Sequence, residues 1–138
     1  MKLNAYLNFN GQCAAAFTFY EKCLGGRIDM IQTFGESPAK DHMPAEWHDK
    51  VIHVRLLVGD QVLMGSDAPP PHFAAAQGMS VSIGVTSPEE AKRIFDDLAQ
   101  GGRITMPFEK TFWSPGFGMV VDRFGTPWMV NCEPPAAR

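Results

Sequence analysis

Apolar and polar side chains alternate along the first nine residues, MKLNAYLNF, so an extended segment carries Leu3, Ala5, Leu7 and Phe9 on one face and Asn4, Tyr6 and Asn8 on the other. From about Gln12 the period changes. Cys13, Phe17, Tyr20 and Leu24 recur at helical spacing, Ala16, Phe19 and Cys23 widen that stripe, and the pattern stops at Gly25-Gly26, where a left-handed cap costs glycine least. A second helix is marked by Ser87-Pro88-Glu89-Glu90, which supplies an N-cap serine, a proline at the first helical position and a glutamate three residues on. Its stripe is Ala91, Ile94, Phe95, Leu98 and Ala99, and it too stops at a glycine pair, Gly101-Gly102.

Both helices run into the same tetrapeptide, GGRI, beginning at Gly25 and at Gly101. Sliding the chain by that interval lays the strand Leu3–Phe9 on Met79–Val85 in phase, Ala15 on Ala91 and Phe19 on Phe95. Further along, VGDQVLMG from Val58 aligns with FGTPWMVN from Phe124, at an interval about ten residues shorter. The extra length in the first half falls in a polar loop, GESPAKDHMPAEWHDK, between Gly35 and Lys50. Each half thus reads strand, helix, strand, strand, strand, with the last two strands forming a hairpin about Gly59 or Gly125. The expected organisation is an α+β chain, 1–138, of two tandem βαβββ modules, 1–67 and 79–133, joined by a proline-rich linker, 68–78, whose prolines cannot join a ladder.

Composition narrows the function classes. A net charge of −3 from interspersed acids and bases lacks the basic stripe that nucleic acids attract. No apolar run approaches the roughly 18 to 20 residues of a membrane span, and the N-terminal alternation is unlike a signal peptide. Cys13, Cys23 and Cys132 are odd in number and far apart, which suggests neither a disulfide framework nor a zinc ribbon. A cytoplasmic protein with reduced thiols is the expectation, with no nucleic-acid or membrane partner.

The stretches YLNFNGQCAAAFTFYEKCLGG, MGSDAPP and TFWSPGFGMVVDRFGTPWMVN, set on a duplicated βαβββ unit, resemble the vicinal oxygen chelate superfamily of glyoxalase I, extradiol dioxygenases and fosfomycin- and bleomycin-resistance proteins. Within it they look like the PhnB-like subfamily, long labelled 3-demethylubiquinone methyltransferase-like. The resemblance covers nearly the whole chain and is most specific from Thr111 to Asn131. It implies that each module curls its sheet into a cup, with the helix on the convex side and a small-molecule ligand on the concave side, and that the protein is a homodimer. In the strand Val51–Val58, Ile52, Val54, Leu56 and Val58 make the face expected under a helix, leaving His53, Arg55 and Leu57 for the cup. In the second module Ser80, Ser82 and Gly84 are the corresponding polar face.

Metalloenzymes of the superfamily hold a divalent ion with His, Gln or Glu from the first and last strands of each module. Carried onto this chain, those positions fall on Asn4, about Leu63, Ser80 and Met129. A hard or borderline divalent ion wants carboxylate oxygen or imidazole nitrogen, which these side chains do not offer. No metal and no other cofactor is therefore expected. His42 and His48, with Asp41, Glu46 and Asp49, could gather an ion in the extra loop, although a solvated loop is the plainer reading. No G-x-G-x-x-G turn supports the methyltransferase label, and Cys13, near a helix start, is read as a small core residue ahead of a nucleophile.

The residues expected to line the ligand cavity are Asn4, Tyr6, Asn8, His53, Arg55, Ser80, Ser82, Trp113, Trp128 and Met129. Trp113, in the turn-rich TFWSPGFG, either stacks on a ligand or plugs the cup. Ser66 and Asp67 could accept from a ligand, with a turn-starting role favoured for Asp67. Three functions stay open: an enzyme acting on a small oxygen-bearing metabolite, a non-catalytic ligand-sequestering protein of bleomycin-resistance type, and an interaction protein with a filled cavity.

Overall fold

Alternating stretches become strands and helical stripes become helices, in the order β1 (Ala5–Phe9), α1 (Cys13–Leu24), β2 (Arg27–Thr33), β3 (Val51–Val58), β4 (Gln61–Asp67), β5 (Val81–Val85), α2 (Pro88–Leu98), β6 (Arg103–Glu109), β7 (Gly116–Val121) and β8 (Pro127–Cys132). The computed structural model describes residues 1–134. Two compact units divide after Ala75, within the proline-rich segment. Each holds one four-stranded mixed sheet, ordered β1-β4-β3-β2 in module 1 and β5-β8-β7-β6 in module 2. In each, the outer first strand pairs in parallel with the last, and the remaining pairs are antiparallel. Among the described residues no helix is long and apolar enough to cross a membrane.

The helix covers one face of its sheet because its apolar stripe and the strands' alternate residues bury each other. In module 1 Phe9, Phe17 and Tyr20 meet edge to face or tilted, above a sheet surface in which Val54, Leu56 and Leu63 are buried. In module 2 Ala91, Ile94, Phe95 and Leu98 are buried, as are Val120, Trp128, Val130 and Cys132 on the strands. Fully burying each large side chain contributes about 1.5–3 kcal/mol.

The repeated GGRI has a physical explanation. Gly25 (φ 70°) and Gly101 (φ 72°) take the left-handed conformation that lets the chain leave each helix. The glycine that follows passes so close to a strand carbonyl, that of Leu57 at Gly26 and of Val121 at Gly102, that a Cβ would collide with it.

Three expectations are corrected. The first strand of each module begins two residues later than the alternation suggests, leaving Leu3 and Met79 outside, 93% and 79% exposed. In β3, Val51 is buried and Ile52 only half-buried, because a register shift between Gln32 and Thr33 re-aims the start of the strand. The extra loop of module 1 folds as three short 3-10 turns, Phe34–Glu36, Pro38–His42 and Ala45–Trp47. They are anchored by Trp47 against the buried Phe34 and by Glu36 accepting from the Thr33 N–H and hydroxyl.

Candidate functional site

With one sheet face under the helix, the opposite, helix-free face of each module carries the side chains open to chemistry. In module 1 the register aligns Tyr6, Met64, Arg55 and Met30 across the four strands. Tyr6 Oη lies 3.0 Å from His53 Nδ1, with the two rings stacked at 5.6 Å. With the imidazole proton on Nε2, the phenol donates and His53 accepts. Tyr6 stays 45% exposed, so this pair is reachable from solvent. Ser66 donates to Asn8 Oδ1 at 3.4 Å. Asn4 lies just outside β1 and is exposed.

Arg55 is on the same face but already engaged. A bulge in β2 between Ile28 and Met30 leaves Asp29 as an extra residue beside it. The guanidinium forks onto that carboxylate, Nε to Oδ1 at 2.9 Å and Nη2 to Oδ2 at 2.6 Å. The hydrogen bond from Arg55 holds the Asp29 carboxyl below the ordinary range, and the same bond pushes Arg55 up. Alternation alone does not foresee Asp29, because a bulge suspends the period of two.

In module 2 two rows cross β5-β8-β7-β6 on the helix-free face. One is Ser82, Met129, Met119, Met106 and the other Gly84, Asn131, Phe117, Glu109. Trp113 packs edge-on against Phe117 at 5.4 Å and Phe112 against Trp113 at 4.8 Å. They belong to a loop, Lys110 to Pro115, that lines a depression of about 430 Å³. The loop is pinned by the buried Ser114, whose hydroxyl lies 2.7 Å from the carbonyls of Gly116 and Cys132 and accepts from the Gly116 N–H. Ser80 sits exposed ahead of β5. Phe117 and Glu109 carry no signal in the sequence that marks them as site residues, whereas Asn131 follows from carrying the alternation of β8 two positions past Met129.

Trp128 is not on this face. It is 1% exposed, shares its side of β8 with Val130 and Cys132, and donates its indole N–H to the buried Asp122 at 2.8 Å. Both faces of β8 are apolar enough that the pattern did not separate them. Leu63 is likewise buried toward the helix, and the position matching Met129 is Met64, since Tyr6 pairs with Met64 as Ser82 pairs with Met129. The one-residue difference arises in the hairpins, which leave four residues between the paired Leu57 and Val62 but five between the equivalent pair Val121 and Pro127.

At the positions where the resemblance implies metal ligands, then, the helix-free faces present thioethers from Met64 and Met129, with Asn4 and Ser80 outside the strands. These donors do not fit a hard or borderline divalent ion. Among the described residues no group of three His, Cys, Asp or Glu gathers elsewhere. His48 Nε2 lies 3.0 Å from the carbonyls of Lys40 and Met43, tying the loop together, and His42 is exposed. Asp67 is buried, accepting from the N–H groups of Gly11, Cys13 and Val51. Burial and the Asp67 charge push the Cys13 thiol up, which removes it as a nucleophile.

The chain matches the family model of the Glyoxalase/Bleomycin resistance protein/Dioxygenase superfamily over residues 2–130. It is 37% identical over 139 residues to Protein YjdN of Escherichia coli K12, covering 95% of each chain. Among solved structures it is similar to protein PA1353 from Pseudomonas aeruginosa, at 46% identity and a TM-score of 0.89 over 97% of this chain and 98% of that one. A Bacillus cereus PhnB protein, described as a putative 3-demethylubiquinone-9 3-methyltransferase, is 26% identical, with a TM-score of 0.79 over 95% and 98% of the two chains.

Proposed function

We propose, from the premise that this chain belongs to the glyoxalase/bleomycin resistance protein/dioxygenase superfamily, that it is a PhnB-like protein binding a small oxygen-bearing metabolite without the divalent ion used by metalloenzymes of that fold. The observation that carries this reading is the donor set: methionine stands in both modules on the strand expected to carry a metal ligand. In place of an ion, the exposed Tyr6–His53 pair offers the ligand a hydroxyl and an imidazole nitrogen. Because Arg55 is neutralised by Asp29, the face favours carbonyl and hydroxyl oxygen over a free anion. The protein acts as a homodimer.

Elemental analysis of protein purified without chelator, followed by titration with nickel, zinc, manganese and iron, tests the metal-free clause. Substoichiometric metal and unshifted melting are expected; one equivalent held tightly would overturn it. Binding is tested by melting shifts against a panel of small hydroxy-ketones and hydroxy-acids. Tyr6→Phe and His53→Ala are expected to reduce any shift severalfold, and a shift that survives both variants would remove this face from the reading. The same pair favours a second function, proton transfer on the bound ligand, in which the Tyr6 hydroxyl takes a proton from the ligand as it passes its own to His53 Nδ1. Conversion of a bound ligand, followed by proton NMR and lost in both variants, would distinguish catalysis from sequestration.

A further inference from the structure

The helix-free face of module 2 carries a row of side chains with a different chemistry from that of module 1. Met106, Met119 and Met129 are paired residue to residue across β6, β7 and β8, so their side chains rise from one face of the sheet on three adjacent strands. They are not core residues. Met106 is 41% exposed and Met119 and Met129 are half-buried, whereas Val120, Trp128 and Val130, beside them on the helix side, are buried. Open strand faces favour β-branched and aromatic side chains, so packing gives no reason for a flexible thioether to stand there three times. Ser82 completes the row on β5, which leaves it without carboxylate or imidazole. In the next row Phe117 sets its ring edge to face against Trp113 at 5.4 Å.

Three neutral sulfur donors discriminate among metals by softness. A hard or borderline divalent ion gains little from them, whereas thioethers select copper(I). We infer that this row is a site for a soft monovalent metal ion, copper(I), held by the Sδ atoms of Met106, Met119 and Met129. Directly opposed side chains start about 4.5–5.5 Å apart at Cβ, and three rotatable bonds in each let the outer two lean over Met119, so that the sulfurs converge on one ion. The rings of Phe117 and Trp113 border the row with faces that favour a cation. Having no charged donor, the row exchanges its ion instead of retaining it through purification. The site stands on module 2 alone, so its failure leaves the Tyr6–His53 reading of module 1 untouched.

The test follows isotope-labelled methionine methyl groups by NMR while the reduced full chain is titrated with silver nitrate, the air-stable probe of the same charge and softness, in chloride-free buffer. The signals of Met106, Met119 and Met129 are expected to move together along one saturation curve, and those of Met30 and Met64 to stay in place. Silver bound by the buried Cys13, Cys23 or Cys132 leaves the three methyl signals unmoved, so thiol uptake is told apart from the proposed site. Copper(I), supplied as its acetonitrile complex under nitrogen, is expected to shift the same three signals, and zinc and nickel to shift none. Met119→Leu, which nearly conserves volume and so spares the fold, is expected to weaken the silver curve about tenfold, and Met106→Leu and Met129→Leu about threefold each. Silver uptake without these shifts, equal movement of Met30 and Met64, no response to copper(I), a zinc response as strong as that to silver, or a curve unchanged by Met119→Leu would each overturn the assignment.

Discussion

Module 1 closes the start of its helix from a distance, and module 2 closes its own from next door. In module 1 the N-cap residue, Gln12, makes no side-chain cap bond. Its role passes to Asp67, the last residue of β4, 54 positions away in sequence from the Cys13 N–H it accepts. In module 2 the Ser87 hydroxyl accepts from Glu90 N–H at the start of α2. The residue in Asp67's place, paired with Val85 as Asp67 is with Phe9, is Cys132. Where a local cap suffices, the last strand is free to end in an apolar thiol; where it does not, a buried carboxylate must bind the orphan donors. One topology thus tolerates a charge in its core only when that charge has work for both oxygens.

The sharpest way to break this comparison is to remove each cap. Asp67→Ala strands the N–H groups of Gly11, Cys13 and Val51. At about 1–3 kcal/mol for each buried donor left unpaired, a loss of about 4 kcal/mol or more is expected. Ser87→Ala removes one exposed cap bond and is expected to cost about 1 kcal/mol. Urea unfolding of both variants measures the pair. Equal losses would mean that Asp67 contributes no more than an ordinary cap.

The two helices also seat their aromatic rings by mirrored means. In module 1 the cross-strand pair under the helix is Val54 with Gly65, and a Cβ on Gly65 would come within 2.6 Å of the Phe17 ring. In module 2 the pair is Gly118 with Val130, and a Cβ on Gly118 would come within 2.7 Å of Phe95. The glycine has changed strands while the arrangement of one valine, one gap and one ring is kept. Gly65→Ala and Gly118→Ala are each expected to destabilise by about 2 kcal/mol through overpacking. Thermal unfolding compares them, and a loss in only one would show that its ring can move aside.

The parts legible in the sequence were those governed by short periods. GGRI, the helix stripes and the alternation of β1 and β5 are local, so each copy announces the other. What escaped depends on interrupted periods or on distant partners. The β2 bulge that delivers Asp29 to Arg55 and the unequal hairpins that match Met129 to Met64 are single-residue insertions, and each flips every assignment beyond it. Trp128 was assigned to the wrong face because Trp, Val and Cys on one side of β8 are hardly more apolar than Met on the other. Asp67 reads as a turn residue until α1 is folded against β4. The candidate site was therefore only half visible: Tyr6, His53 and Met129 follow from alternation, but Asp29 only from register.

The smallest expected effect separates the modules by pH. Among the described residues, the two carboxyls held below their ordinary values, Asp29 by Arg55 and Glu36 by the Thr33 N–H and hydroxyl, both belong to module 1. A carboxyl depressed in the folded state stabilises above its unfolded pKa, near 4, and loses that contribution as pH falls through its lower folded value. Module 1 is therefore expected to weaken first as pH drops below about 4, with Arg55 charged throughout. Exposed positions and salt screening keep the effect small. In Arg55→Leu the difference from the native chain should be present at pH 7 and should shrink toward zero in acid. Amide exchange across β2 and β3, compared with β6 and β7, reads the two modules separately. A difference that grows on acidification would show that the Arg55–Asp29 pair does not hold module 1 together.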